Sequence, residues 1–138
     1  MGTASMIGVY NKDGSVTASY CHYDGYLSYN GRLLVETYNT TEAANAVANC
    51  GYLSGLTNDL DNDLKEAVHK NEEPRIYNSV DTFLKVGDRY AGADYLYLFD
   101  GKTWLYTDTY GNRKDRKFKE VEADLVDHDA PKFNQVAV

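Results

Sequence analysis

The polar–apolar pattern of the chain has two periods. A period of two dominates MIGVYN and VTASYCHY, which flank KDGS. Asp13-Gly14 there is the signal for a tight two-residue hairpin turn. That turn would pair Val9 with Ala18 and Ile7 with Tyr20. Ile7, Val9, Val16, Ala18 and Tyr20 would then share a core face, with His22 continuing it at the open end. Met6, Gly8, Tyr10, Thr17, Ser19 and Cys21 would take the other face. A second hairpin is expected from ADYLYLFD and TWLYTDTYG around the turn DGK. Tyr95, Tyr97 and Phe99 alternate there with Leu96 and Leu98, so both faces are apolar, as in a central strand.

Helical spacing fills the interval between the hairpins. Asp24-Gly25 reads as a turn, after which Ser28 or Asn30 caps a short helix carrying Leu33, Leu34 and Tyr38 inward. NTTEAANAVANCG gives a second helix, with Asn39 and Glu42 as a capping box and Gly51 as its stop. In TNDLDNDLKEAVHKN, Leu60, Leu64, Ala67 and Val68 form one stripe. Asp59, Asp61 and Asp63 at its start and His69 and Lys70 at its end suit the helix dipole. A short strand fits Arg75 to Tyr77, and Ser79 caps a helix over VDTFLKVG. FKEVEADLV suits an edge strand or short helix, and residues 128–138 a loosely ordered tail. The expectation is one α+β domain over residues 1–138. It has an antiparallel sheet of four or five strands built from two hairpins, with three or four short helices packed on one face.

Composition narrows the function. The chain has 138 residues, no stretch long enough to span a membrane, and an N-terminal MGTASMIG without signal-peptide character. A soluble, intracellular protein is expected, with Cys21 and Cys50 as reduced thiols. A net charge of −7 argues against duplex DNA binding, which needs clustered Lys and Arg. Asn112 to Lys119 runs against that charge, with Arg113, Lys114, Arg116, Lys117 and Lys119 facing one acid, Asp115. It reads either as a solvated loop or as a local site for a phosphate-bearing small molecule or an acidic partner. Tyrosine occurs 13 times, which suits half-exposed sheets, pockets and protein contacts.

Candidate chemistry is sparse. Asp59, Asp61 and Asp63 open like a calcium loop, but Leu64 and Lys70 stand where such a loop needs glycine and an acid. Cys21, His22, Cys50, His69 and His128 lack the paired spacings of zinc sites, so no metal and no cofactor is expected. No nucleophile motif, phosphate loop or dinucleotide fingerprint is present. Catalysis would rest on His22 and Asp24, two residues apart at a strand end. The alternative is that Asp24 orders the turn and His22 bonds to backbone. Around them Tyr20 and Tyr26 supply stacking surfaces, while Arg32, Arg113 and Arg116 supply charge for a phosphate.

The segment from Ser5 to Tyr38 resembles the opening of a family of small bacteriophage proteins, including members from cyanophages. The shared features are Met6-Ile7-Gly8, Asp13-Gly14, the run YCHYDGY over Tyr20 to Tyr26, Gly31 and Leu33-Leu34. YLSGLTNDL and YLFDGKTWLYTD extend the likeness over most of the chain. The resemblance implies a phage accessory protein acting in the host bacterial cytoplasm. Such proteins commonly bind, as host-defence antagonists or host-takeover factors. With the tyrosines and the basic run, it points to a non-enzymatic protein that sequesters a nucleotide-like small molecule, and the phenol-rich sheet with exposed hairpin edges points to a homo-oligomer. The alternatives are an inhibitor docking on a host defence protein through its acidic, tyrosine-rich surface, and a small hydrolase or nuclease using His22 and Asp24.

Overall fold

The computed structural model describes residues 3–70 and 72–125, with backbone alone over 68–70; the expected tail, and His128 with it, lies outside them. The fold is α+β, built on one sheet. Its strands are β1 (Ser5–Tyr10), β2 (Val16–Cys21), β3 (Tyr52–Leu53), β4 (Arg75–Tyr77), β5 (Tyr95–Phe99), β6 (Trp104–Asp108) and β7 (Lys119–Glu120). They lie in the order β3-β2-β1-β5-β6-β7, with β4 sharing the outer edge of β2 with β3. Both expected hairpins form, but the sheet is mixed rather than antiparallel. β1 and β5, the first strand of each hairpin, run parallel at its centre, and β2 and β3 are parallel too. The chain between the hairpins returns to the starting end, so β5 enters the sheet in the direction of β1.

The first hairpin is one residue out of the expected register: Val9 pairs with Thr17 and Ile7 with Ser19. The cause is the loop. Gly14, at φ +90°, is the left-handed closing residue of a three-residue connection. The Asn11 amide bonds to the Ser15 carbonyl at 2.8 Å, and the Asp13 carboxylate accepts from the Ser15 amide and hydroxyl. One extra loop residue puts the predicted core face on two sides. Ile7 and Val9 join Cys21, Tyr97, Phe99 and Trp104 in one core. Val16 and Ala18 join Met6, Leu96, Leu98 and Phe83 in the other, with Tyr20 packed against it.

Helices therefore cover both faces. α1 (Arg32–Thr37), α2 (Thr41–Ala48) and α3 (Leu60–Lys70) lie against the first core, through Leu34, Ala44, Val47 and Ala67. α4 (Val80–Val86) lies against the second through Phe83. Ser79 caps α4 by accepting from the Thr82 amide, as expected, but α2 is capped by Thr40 rather than Asn39. α1 has no side-chain cap, because a π-helical turn over Leu27–Gly31 feeds directly into it. Asn30, an expected cap, is instead buried, its amide donating to Ser5 Oγ and Cys21 Sγ. Asp63 also turns inward, accepting from the Tyr38 hydroxyl and from the Thr57 amide and hydroxyl. Lys119–Glu120 forms β7 and residues 121–125 are helical, so the segment after Phe118 is both edge strand and helix.

Candidate functional site

YCHYDGY begins in β2 and ends in a turn. Tyr20 and His22 point to the α4 side of the sheet, and the Tyr20 hydroxyl lies 2.9 Å from His22 Nδ1. Cys21 points the other way. It is fully buried, and that burial pushes its thiol up to about 12, so it supplies no thiolate at neutral pH. The Cys50 thiol is likewise raised, to about 11, by burial.

Asp24 has φ +60°, a left-handed conformation that an aspartate tolerates in a turn. Gly25 follows because nothing larger fits: a Cβ there would come within 2.7 Å of the Thr3 carbonyl. Its amide donates to that carbonyl, and its own carbonyl accepts from the buried Tyr97 hydroxyl at 2.6 Å. None of the hydrogen bonds among the described residues joins His22 to Asp24. As an acid–base pair they are not assembled; His22 engages Tyr20, and Asp24 shapes the turn.

Arg113 and Arg116 were expected to receive an anion, but their guanidiniums serve the fold. Arg116 makes two hydrogen bonds to the Asp88 carboxylate, at 2.9 and 3.1 Å, and reaches the carbonyls of Leu84 and Lys85. Arg113 bonds to the same carboxylate and to Lys85 O, both at 2.8 Å. The basic run thus closes the C-terminal end of α4, where carbonyls lack helical partners and cations are favoured. Burial raises the Asp88 carboxyl, but the hydrogen bonds from Arg116 and Arg113 outweigh it and leave its pKa below the usual range. Arg32 lies 3.6 Å from Glu36, one turn along α1.

Two cavities of about 320 Å³ each lie on opposite faces of the sheet. The one on the α4 side is lined by Arg75, Tyr77, Val86, Arg89 and Tyr90, with no carboxylate among them. The Arg75 guanidinium stacks 4.1 Å from the centre of the Tyr90 ring. Among the described residues neither Arg75 nor Arg89 has an ion-pair partner. Arg75 pairs with Ala18 across the β2–β4 contact, and Tyr20 stands two residues on, about 7 Å along the same face. Burial raises the Tyr20 phenol above its ordinary pKa, with smaller contributions from Tyr52, Cys21, Asp94 and Tyr90. Tyr20 therefore lies on the same face as the arginine cavity without lining it, and His22 is two residues further on. Arg75 and Arg89 were missed from sequence because they stand singly, 14 positions apart, and no run or motif marks them.

The other cavity is lined by Tyr26, Leu27, Ser28, Tyr95, Tyr106 and Asp108. Here the last tyrosine of YCHYDGY meets the second hairpin. Asp108 also lines an adjoining cavity of about 270 Å³ with Arg116, Lys117 and Lys119. His22 and Asp24 line none of these three cavities.

No family profile, curated protein or solved structure matches the chain. The functional reading therefore rests on the chemistry of the two cavities.

Proposed function

We propose that the protein binds a nucleotide-like small molecule in the cavity formed by Arg75, Tyr77, Arg89 and Tyr90. The observation carrying this reading is a pair of arginines without ion-pair partners among the described residues, beside the exposed Tyr90 ring and the half-buried Tyr77 ring, on a protein of net charge −7. An arginine fork matches phosphate oxygens, and phenol rings stack on a base. The volume, about 320 Å³, is at the lower end of the range for small-molecule sites, roughly 300–1,000 Å³. A base and sugar would fill it, leaving phosphates at the arginine rim. Tyr20 and His22 extend the surface toward a second ring or a ribose.

The setting suggested by the resemblance of YCHYDGY to bacteriophage proteins is the cytoplasm of an infected bacterium. There the protein would act by sequestration, without chemistry, as a host-defence antagonist or takeover factor. The test is calorimetric titration with a panel of mono- and dinucleotides, including nucleotide second messengers, beside the matching nucleosides. Saturable binding of a nucleotide is expected, weaker for its nucleoside, weaker at high salt, and absent in an Arg75→Ala, Arg89→Ala double variant. Absence of heat with every nucleotide, alongside salt-sensitive capture of a host protein, would replace this reading with the docking inhibitor.

A further inference from the structure

The groove on the opposite face has a different chemistry. Tyr26, Tyr95 and Tyr106 present phenol rings to it, and Asp108 and Ser28 are its polar lining residues. Among the described residues, the only hydrogen bond that the Asp108 carboxylate accepts comes from the Tyr110 amide, at 3.2 Å. The Tyr106 hydroxyl donates to Asp124 at 2.7 Å, which fixes the ring and pushes electron density onto it. Tyr110, 66 % exposed, stands edge-on to Tyr95 with ring centres 6.1 Å apart, lengthening the aromatic wall. One face of the wall already attracts a cation: Lys119 Nζ lies 5.4 Å from the centre of the Tyr106 ring. Ring faces are negative, so a wall of phenols beside a carboxylate draws a soft, weakly hydrated cation and repels a phosphate.

We propose that the groove of Tyr26, Tyr95, Tyr106 and Asp108 is a second binding site, for an alkylammonium group. Its ligand would be a quaternary or methylated amine, held by the ring faces and balanced by Asp108. A compact, strongly hydrated ammonium is disfavoured, because the groove offers few acceptors to replace its water. The site does not depend on the arginine cavity, which lies across the sheet and has the opposite charge.

The test is a titration of the full chain with tetramethylammonium and choline, followed by tyrosine-ring chemical shifts. The uncharged isostere of choline, 3,3-dimethylbutanol, is the control. Saturable shifts at Tyr26, Tyr95 and Tyr106 are expected with the cations, and affinity about tenfold weaker for the alcohol, equivalent to about 1.4 kcal/mol. Asp108→Asn and the half-exposed Tyr26→Ala should each weaken the cations several-fold while leaving nucleotide binding unchanged. Lys119→Ala, which removes a competing charge from the Tyr106 ring, should tighten them. Equal affinity for the alcohol, no saturable shift, or weaker cation binding in Lys119→Ala would each overturn the assignment. Tyr95→Leu, checked for folding by the Trp104 signal, gives a second reading where Tyr26→Ala alone has little effect: no loss in either variant also overturns it.

Discussion

The two aromatic cavities have about the same volume and draw on the same residue type, yet the parts around them differ. On the α4 side the guanidiniums of Arg75 and Arg89, without ion-pair partners among the described residues, line the cavity, while a second arginine pair, Arg113 and Arg116, is locked on Asp88. On the other side the lining charge is the Asp108 carboxylate, with the Lys119 ammonium over the Tyr106 ring, and the phenols are tied down, Tyr106 to Asp124 and, beneath the groove, Tyr97 to the Gly25 carbonyl. The difference is that identical charges in one chain sit in unlike settings: an arginine with a buried carboxylate holds a helix end, and an arginine without one stays at the cavity wall.

Breaking the clamp should have the largest effect. Asp88→Ala leaves the Arg116 guanidinium, 4 % exposed, without its partner, at an expected cost of about 3–5 kcal/mol in urea unfolding. Asp124→Ala on the other face removes one phenol hydrogen bond and should cost about 1 kcal/mol. Equal losses would erase the distinction between a clamped and a lightly tied face.

Gly25→Ala comes next, at about 1–3 kcal/mol, because its Cβ would crowd the Thr3 carbonyl. Its effect should reach the tyrosine groove, through Tyr97 and Leu27, and spare the arginine cavity; ring chemical shifts on each face would check this.

The two faces should also separate by pH. The Asp88 carboxyl is held below its ordinary value, so its contribution is fully present above about pH 4 and is lost as pH falls through the native pKa. The stability gap between wild type and Asp88→Ala should therefore narrow in acid. Cys21, Tyr95 and Tyr106 are raised by burial, so their contribution is complete below about pH 8.5 and is lost as pH climbs toward their native values. Denaturant midpoints across pH would show the clamp failing at one end and the groove face at the other. The smallest effect on stability, within about 0.5 kcal/mol, is expected from Arg75→Ala with Arg89→Ala, whose cost should fall on ligand affinity instead.

Elements with local signals were legible in the sequence. The cap at Ser79, the helix α3 and the strands on either side of Asp100-Gly101 needed only nearby residues, and they formed where expected. What failed was nonlocal or one residue deep. Asp13-Gly14 marks a turn, but whether glycine closes a two- or three-residue loop depends on the strands it joins, and that choice moved Ile7 and Val16 into different cores. The parallel contact of β1 and β5 spans 90 residues, from Ser5 to Tyr95, and leaves no local mark. The candidate site divided in the same way. Tyr20, His22 and Tyr26 were expected to stand together around one site, but they serve opposite faces, since Gly25 redirects the chain between them. Arg113 and Arg116 drew notice because they are crowded, although their buried partner, Asp88, is what decides their role.

The Asp24-Gly25 turn also bears on how the chain reaches its native state. Its tie to the Tyr97 hydroxyl spans 72 residues, across all of the helices between the hairpins. Closing so wide a loop is slow, and its entropy is recovered only when the second hairpin docks. The signature turn is therefore a late-locking element, and the first hairpin synthesised alone would carry the sequence YCHYDGY without the shape. Amide exchange at Gly25 would then report arrival of the second hairpin rather than formation of the first.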